Sequence, residues 1–209
     1  MVILAIDLAK AKSLFCWYDN DGQTPVFKTI FSTPAAFEEA LSERAVDRVV
    51  IEVCDMAGWI SDLCKRLSIP IEVANANGQA WRWKNVKKKT DREDALKLAR
   101  MSLLNELEMV SVPDRLTRHW RSLILYRHRL IERRTRVKNA IHALMVAEGK
   151  AMKRGKETWS VESQAKLREL SKPMEDCSIQ ELWSGHLWLE LEQLDELNEK
   201  IVSGGSGAT

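Results

Sequence analysis

Along the first hundred residues the apolar positions come in short runs separated by turn-forming residues. Residues 2–8 are apolar at all but one position, the pattern of a strand buried on both faces. Residues 13–18 and 25–31 are two further strand candidates, divided by Asp19-Asn20-Asp21-Gly22, which has the composition of a tight turn. A helix is predicted next, with Ser32 or Thr33 as its cap, Pro34 in its first turn and Phe37 and Leu41 inside. Residues 46–53 read as a fourth strand, 58–67 as a second helix and 69–73 as a fifth strand. Residues 77–104 read as helical, with a break near Lys87-Lys88-Lys89.

Beyond Pro113 the period changes. Residues 115–148 form one long helical pattern in which Leu116, Trp120, Leu123, Leu130, Val137, Ile141 and Leu144 fall near heptad spacing, and Gly149 is placed to end it. A polar stretch, 150–160, precedes a short helix at 160–171, which Pro173 stops. Leu187, Leu191, Leu194 and Ile201 then repeat at steps built from three and four residues, with Asn198 in the same register. Two helices of this kind should pair as an antiparallel hairpin, or with partner chains as a coiled coil. Asn198 would fix the register if it lies at the seam. The expected organisation is an α/β domain over residues 1–110, a helical oligomerisation and nucleic-acid-binding region over 111–202, and a tail at 203–209 of flexible-linker composition.

Four acids stand out against this pattern. Asp7 and Glu52 lie in apolar stretches of strand character, where an ionised carboxylate is costly unless a cation or hydrogen bonds compensate it. Asp55 is the rival to Glu52 at the end of the fourth strand. Asp91 and Asp94 are three apart on a predicted helix and project from one side of it. A solvated charged face is the plain alternative for that pair, but Thr90 precedes as a cap and Ala95, Leu96 and Leu98 follow as a buried stripe. Carboxylates from three segments suit divalent magnesium, which takes oxygen ligands, and paired ions of this kind activate a nucleophile and steady a leaving oxygen in phosphodiester chemistry. The element order β-β-β-α-β-α-β-α is similar to that of the ribonuclease H-like fold. There an acid on the first strand and one at the end of the fourth lie side by side, and a later helix brings another.

Charge sharpens the picture. The formal net charge of +2 conceals 20 Lys/Arg against 8 Asp/Glu in residues 76–155, between acidic flanks. Trp81, Arg82, Trp83, Lys84, Lys87, Lys88 and Lys89 interleave aromatic and cationic side chains beside the acidic pair. Over residues 115–138 the long helix adds Arg115, Arg118, Arg121, Arg127, Arg129, Arg133, Arg134, Arg136 and Lys138 against the single acid Glu132. An ordinary exposed helix mixes signs, so these residues point to a polyanion and to nucleic acid in particular. Cys16, Cys54, Cys64 and Cys177 form no CxxC pair and only four histidines accompany them, which argues against zinc and for buried free thiols in a reducing, cytoplasmic compartment. Cys54 stands close to Glu52, but no histidine is near it in sequence to activate it as a nucleophile. No apolar run has the length of a membrane span or a secretory signal, so no membrane partner is expected.

The opening Ile6-Asp7-Leu8-Ala9-Lys10, the Glu52 segment closing on Gly58-Trp59, and above all Lys89-Thr90-Asp91-Arg92-Glu93-Asp94-Ala95 resemble the DEDD transposases, insertion-sequence recombinases related to the Piv DNA invertase, with a RuvC-like catalytic domain. The arginine-rich stretch at 133–145 resembles the segment that precedes that family's coiled coil. The resemblance implies that Asp7, Glu52, Asp91 and Asp94 are magnesium ligands, with manganese as a substitute. It further implies DNA as substrate, a structured guide RNA as in some members, and dimers or tetramers through the coiled coil, in a prokaryotic, nucleoid-associated setting. Members of the family continue into a further domain holding a serine nucleophile. The present chain stops near the end of the coiled coil and is expected to be a fragment unable to complete recombination alone. Two other readings stay open at this point: a stand-alone RuvC-like junction resolvase or nuclease, and a non-catalytic nucleic-acid-binding regulator.

Overall fold

The computed structural model describes residues 1–22, 24–75, 90–150, 152–153 and 155–204. The chain divides into two compact units, Met1–Arg118 and His119–Thr209.

The first unit is built on a mixed five-stranded sheet of β1 (Val2–Asp7), β2 (Lys12–Asp19), β3 (Val26–Phe31), β4 (Arg48–Glu52) and β5 (Ile71–Ala74), in the order β3-β2-β1-β4-β5. β1, β2 and β3 run antiparallel to one another in turn, whereas β4 joins β1, and β5 joins β4, in parallel. Parallel neighbours need a crossover. Here α1 (Pro34–Glu43) and α2 (Ala57–Arg66) provide them. Thr33 caps α1 by accepting from the Ala36 N–H at 3.3 Å, as the sequence pattern predicts.

Strand alternation divides the core into two layers. Leu4, Ile6, Phe15, Trp17, Val49, Ile51 and Val73 point to the side covered by α1 and α2, where Phe37 meets Phe15 edge-on at 4.8 Å and Trp59 at 5.0 Å. Ile3, Ala5, Cys16, Val50 and Ala74 point to the other side and pack on Ala95, Leu98 and Ala99 of α3 (Asp91–Leu103). The two alanines on α3 let the helix lie close to the sheet. The burial of Cys16 and Cys64 raises their thiol pKa values to about 11 and about 12, as expected of structural free thiols. The helix expected over residues 77–104 is described only from Thr90 onward, where Thr90 accepts from the Glu93 N–H at 3.3 Å and caps α3. The part at 77–89 lies outside the described residues.

The second unit contains most of α4 (Arg115–Ala147), together with α5 (Val161–Leu170) and α6 (Leu182–Ser203). Its core joins Leu130, Val137, Ile141 and Met145 of α4 to Leu167 of α5 and to Leu187, Leu191, Leu194, Leu197 and Ile201 of α6. Gly149 ends α4 with φ +65°, and the Gly149 and Lys150 N–H groups donate to the carbonyls of Val146 and Met145 at 3.1 and 2.9 Å. This is a Schellman arrangement, which satisfies carbonyls that a helix end otherwise leaves open. The heptad stripe on α4 is only partly closed within the chain. Leu116, Trp120 and Leu123 are 66%, 40% and 57% exposed, Leu144 is half-buried, and Met145 takes a fully buried place beside it. On α6 the buried step falls on Leu197, leaving Asn198 half-buried at its side. Among the described residues no helix is long and apolar enough to cross a membrane.

Candidate functional site

The β1–β4 register pairs Ile6 with Ile51. The next residue on each strand is the acid, so Asp7 and Glu52 end two neighbouring parallel strands side by side. Both continue the parity of Ala5 and Val50 and therefore face α3. Asp94 sits on α3 just before Ala95 and one turn from Leu98. The three acids, all half-buried, line one cavity of about 70 Å³, whose apolar walls include Ile6, Ala95 and Leu98. Asp91 lies one turn nearer the helix start, is exposed and does not line the cavity; Asp55 is likewise exposed and outside it. Cys54, which is exposed, does line it, two residues after Glu52 and in keeping with its closeness to that acid in sequence. Among the described residues no three His, Cys, Asp or Glu side chains stand close enough to share one metal ion.

Two polar networks set this geometry. At one end of α3, Arg48 donates to Glu72 at 2.7 Å and to the Ser102 carbonyl at 2.8 Å, while the Ser102 hydroxyl donates to Glu72 at 2.5 Å. Ser102 is fully buried and the Arg48 and Glu72 side chains are 18% and 21% exposed. From Ser102 back to Asp94 the helix rises about 12 Å. From Arg48 to Glu52 the strand advances about 13 Å. Pinning Ser102 to Arg48 thus brings Asp94 level with Glu52. The second network holds the loop after Asp7. Ser32 donates to the Ala9 carbonyl at 2.6 Å, the Ala9 N–H donates to Ser13 at 3.3 Å, and the two serine hydroxyls lie 2.8 Å apart.

The basic residues divide into three groups. Trp81, Arg82, Trp83, Lys84, Lys87, Lys88 and Lys89 lie outside the described residues. Arg118, counted from the sequence among the polyanion-facing cations, instead donates to both carboxylate oxygens of Asp62 and to the Pro113 carbonyl at 2.6 Å. Its guanidinium lies against Gly58, where an added Cβ would come within 2.8 Å of Nε. Arg121, Arg129, Arg133 and Arg136 are exposed and have no ion pair among the described residues. Arg129, Arg133 and Arg136 follow at i, i+4 and i+7, an exposed row on one side of α4 that flanks the buried stripe through Leu130, Val137 and Ile141. Arg134 and Lys138 are half-buried; Lys138 lies 4.8 Å over the Trp159 ring, and burial, then the neighbouring Arg134 charge, lower its pKa.

A mixed sheet carrying acids from two central strands and one helix at a single opening defines an α/β protein with an acidic cavity at the ends of parallel strands. The chain belongs to the DEDD transposase family: the IS110-type family model, described as transposase, matches residues 4–148, more than half of its length. Among solved structures, the Fowlpox virus resolvase in complex with substrate Holliday junction DNA is similar over 52% of this chain and 78% of that chain, at 15% identity and a TM-score of 0.32. Among curated proteins none matches.

Proposed function

We propose that this chain is the DNA-cutting portion of a transposase, with Asp7, Glu52, Asp91 and Asp94 acting on a phosphodiester from a ribonuclease H-like, RuvC-like domain. The observation that carries the reading is the convergence of Asp7, Glu52 and Asp94, from three elements, on one cavity. The sheet order with antiparallel β1–β3 and parallel β4 and β5 supports the fold. Magnesium, which takes oxygen ligands, or manganese in its place, would be held by the carboxylates of Asp7, Glu52 and Asp94, drawn closer than they stand without it, with Asp91 as a further carboxylate. Such a metal supplies charge neutralisation at the phosphate and lowers the pKa of an attacking hydroxyl. The chain's own contribution is positional. Adjacent strands fix Asp7 and Glu52, the Ser102 network fixes Asp94, and the row Arg129, Arg133 and Arg136, with Arg121, Arg134 and Lys138, holds backbone phosphates by charge without reading sequence. A guide RNA would use the same basic face and the Trp81–Lys89 segment. A homo-oligomer would close the open stretch of the α4 stripe at Trp120 and Leu123.

The test is thermal unfolding with and without magnesium or manganese, for the native chain and for Asp7→Asn, Glu52→Gln and Asp94→Asn. Metal binding to the folded state alone stabilises by about 2.7 kcal/mol at a hundredfold excess over Kd. The native chain should show a rise in Tm with metal, and each variant should lose that rise relative to its own metal-free melting temperature. An identical metal response in all four proteins would sink the reading. The absence of a ready three-ligand cluster among the described residues favours one rival, a nucleic-acid-binding regulator that keeps the acids as part of its fold. For that rival, DNA binding is metal-independent, Asp7→Asn leaves it unchanged, and no protein responds to metal.

A further inference from the structure

A second opening lies on the sheet face away from the acidic cavity. Trp17 pairs with Leu4 across β1 and β2, whereas Asp7 pairs with Leu14, so the two sites stand three residues apart along β1, about 10 Å, and on opposite faces. Two neighbouring cavities of about 250 and 190 Å³ share Trp17, Val26 and Arg44 in their walls. The Trp17 side chain is 5% exposed, and its indole Nε1–H is sealed from water with no hydrogen-bond partner among the described residues. A buried donor left in this state costs free energy that an acceptor returns. Arg44, exposed at the end of α1, lies with its guanidinium 5.6 Å from the Trp17 ring centroid and has no carboxylate partner among the described residues. The other charges of the larger cavity, Lys28 and Glu43, neutralise each other at 2.7 Å. Arg44 is therefore its uncompensated charge, set beside the apolar surfaces of Trp17 and Val26, which face each other across β2 and β3.

We propose that the larger cavity binds a small organic oxyanion, a phosphate ester or a carboxylate carried on a flat or apolar body. The oxyanion engages the guanidinium fork of Arg44, which suits either group. Drawing Arg44 off the ring opens the indole N–H to an oxyanion oxygen, and the body of the ligand lies on Val26 and the rim of the Trp17 ring. The cavity is slightly smaller than the range typical of small-ligand sites, which begins at about 300 Å³. None of the acids at the ends of β1 and β4 takes part, so the proposal stands apart from the phosphodiester chemistry.

The experiment is a two-dimensional proton–nitrogen spectrum of isotope-labelled tryptophan in the full chain. Its eight indole signals are followed at constant ionic strength, with the Trp17 signal assigned from Trp17→Phe. Adenosine monophosphate and benzoate are titrated separately, with chloride as control. The Trp17 indole proton is expected to move downfield and saturate with at least one of them, adenosine monophosphate identifying a phosphate ester and benzoate a carboxylate. Arg44→Ala should weaken that response about tenfold, a change of roughly 1.4 kcal/mol, and Asp7→Asn should leave it unaltered. A Trp17 signal that follows neither anion at millimolar concentration, or that moves equally in Arg44→Ala, makes the cleft a solvent-filled groove and overturns the proposal.

Discussion

Asp7 and Glu52 each close a strand whose inner residues are sealed from water, and the parity of the strand decides which way each carboxylate points. That much is legible in sequence, because an acid ending an apolar run has few inexpensive structural uses. Asp94 is legible through Thr90, which fixes where α3 begins and so which side of the helix the acid shares with Leu98. Glu181 shows another residue-scale effect. Hydrogen bonds from the Ser178 hydroxyl and N–H, then from Lys172, hold its carboxyl at about 2, below the ordinary 4.5. The folded value lies below the unfolded one, so its contribution is complete above about 4.5 and lost as pH falls toward 2. Glu181→Gln should therefore flatten the loss of stability across that acid window, as read by denaturant unfolding at several pH values, and a variant tracking the native chain would refute the assignment. What no local pattern announces is the state of single polar atoms. That the Trp17 N–H has no partner among the described residues, and that Arg118 is diverted to Asp62, depends on neighbours far away in sequence.

Elements carry the next level of information. The heptad positions of α4 are readable, but their burial is not, because burial depends on the length of whatever covers them. α6 has 22 residues against 33 in α4, too few to follow the whole stripe. The same limit applies to Asn198, whose neighbour Leu197 takes the buried step. The docking of α3 depends on Arg48, Glu72 and Ser102, three residues that read individually as ordinary surface types. Glu72→Ala would leave the Arg48 guanidinium and the Ser102 hydroxyl without their acceptor in a mostly buried setting, a loss of about 2–3 kcal/mol. Urea unfolding should show that loss, and hydrogen exchange should show faster opening of α3 than of β1. If exchange accelerates uniformly instead, the network stabilises the unit without specifically holding the helix. Ile141→Ala, in the fully buried centre of the second unit, should cost about 2–5 kcal/mol by the same measurement.

At the scale of the whole molecule, acidic and basic chemistries occupy different parts of the chain: the carboxylates on the sheet and α3, the arginine row on the long helix. Such a division predicts separable defects. Replacing Arg129, Arg133 and Arg136 by alanine should weaken DNA binding for all sequences alike. It should also reduce the slope of log K against log salt by about 0.9 for each phosphate no longer neutralised, with the metal response of the sheet unit intact. A sequence-dependent loss with an unchanged slope would show that the row does not track the backbone. The distribution of the cavity's walls has a further consequence, one of time. Asp94 follows Asp7 by 87 residues, and ribosomes add roughly 5–20 residues per second, so the last wall arrives on the order of 4–17 seconds after the first. Until then the emerging chain holds two carboxylates on an uncovered sheet face, and the opening they will share with α3 does not yet exist.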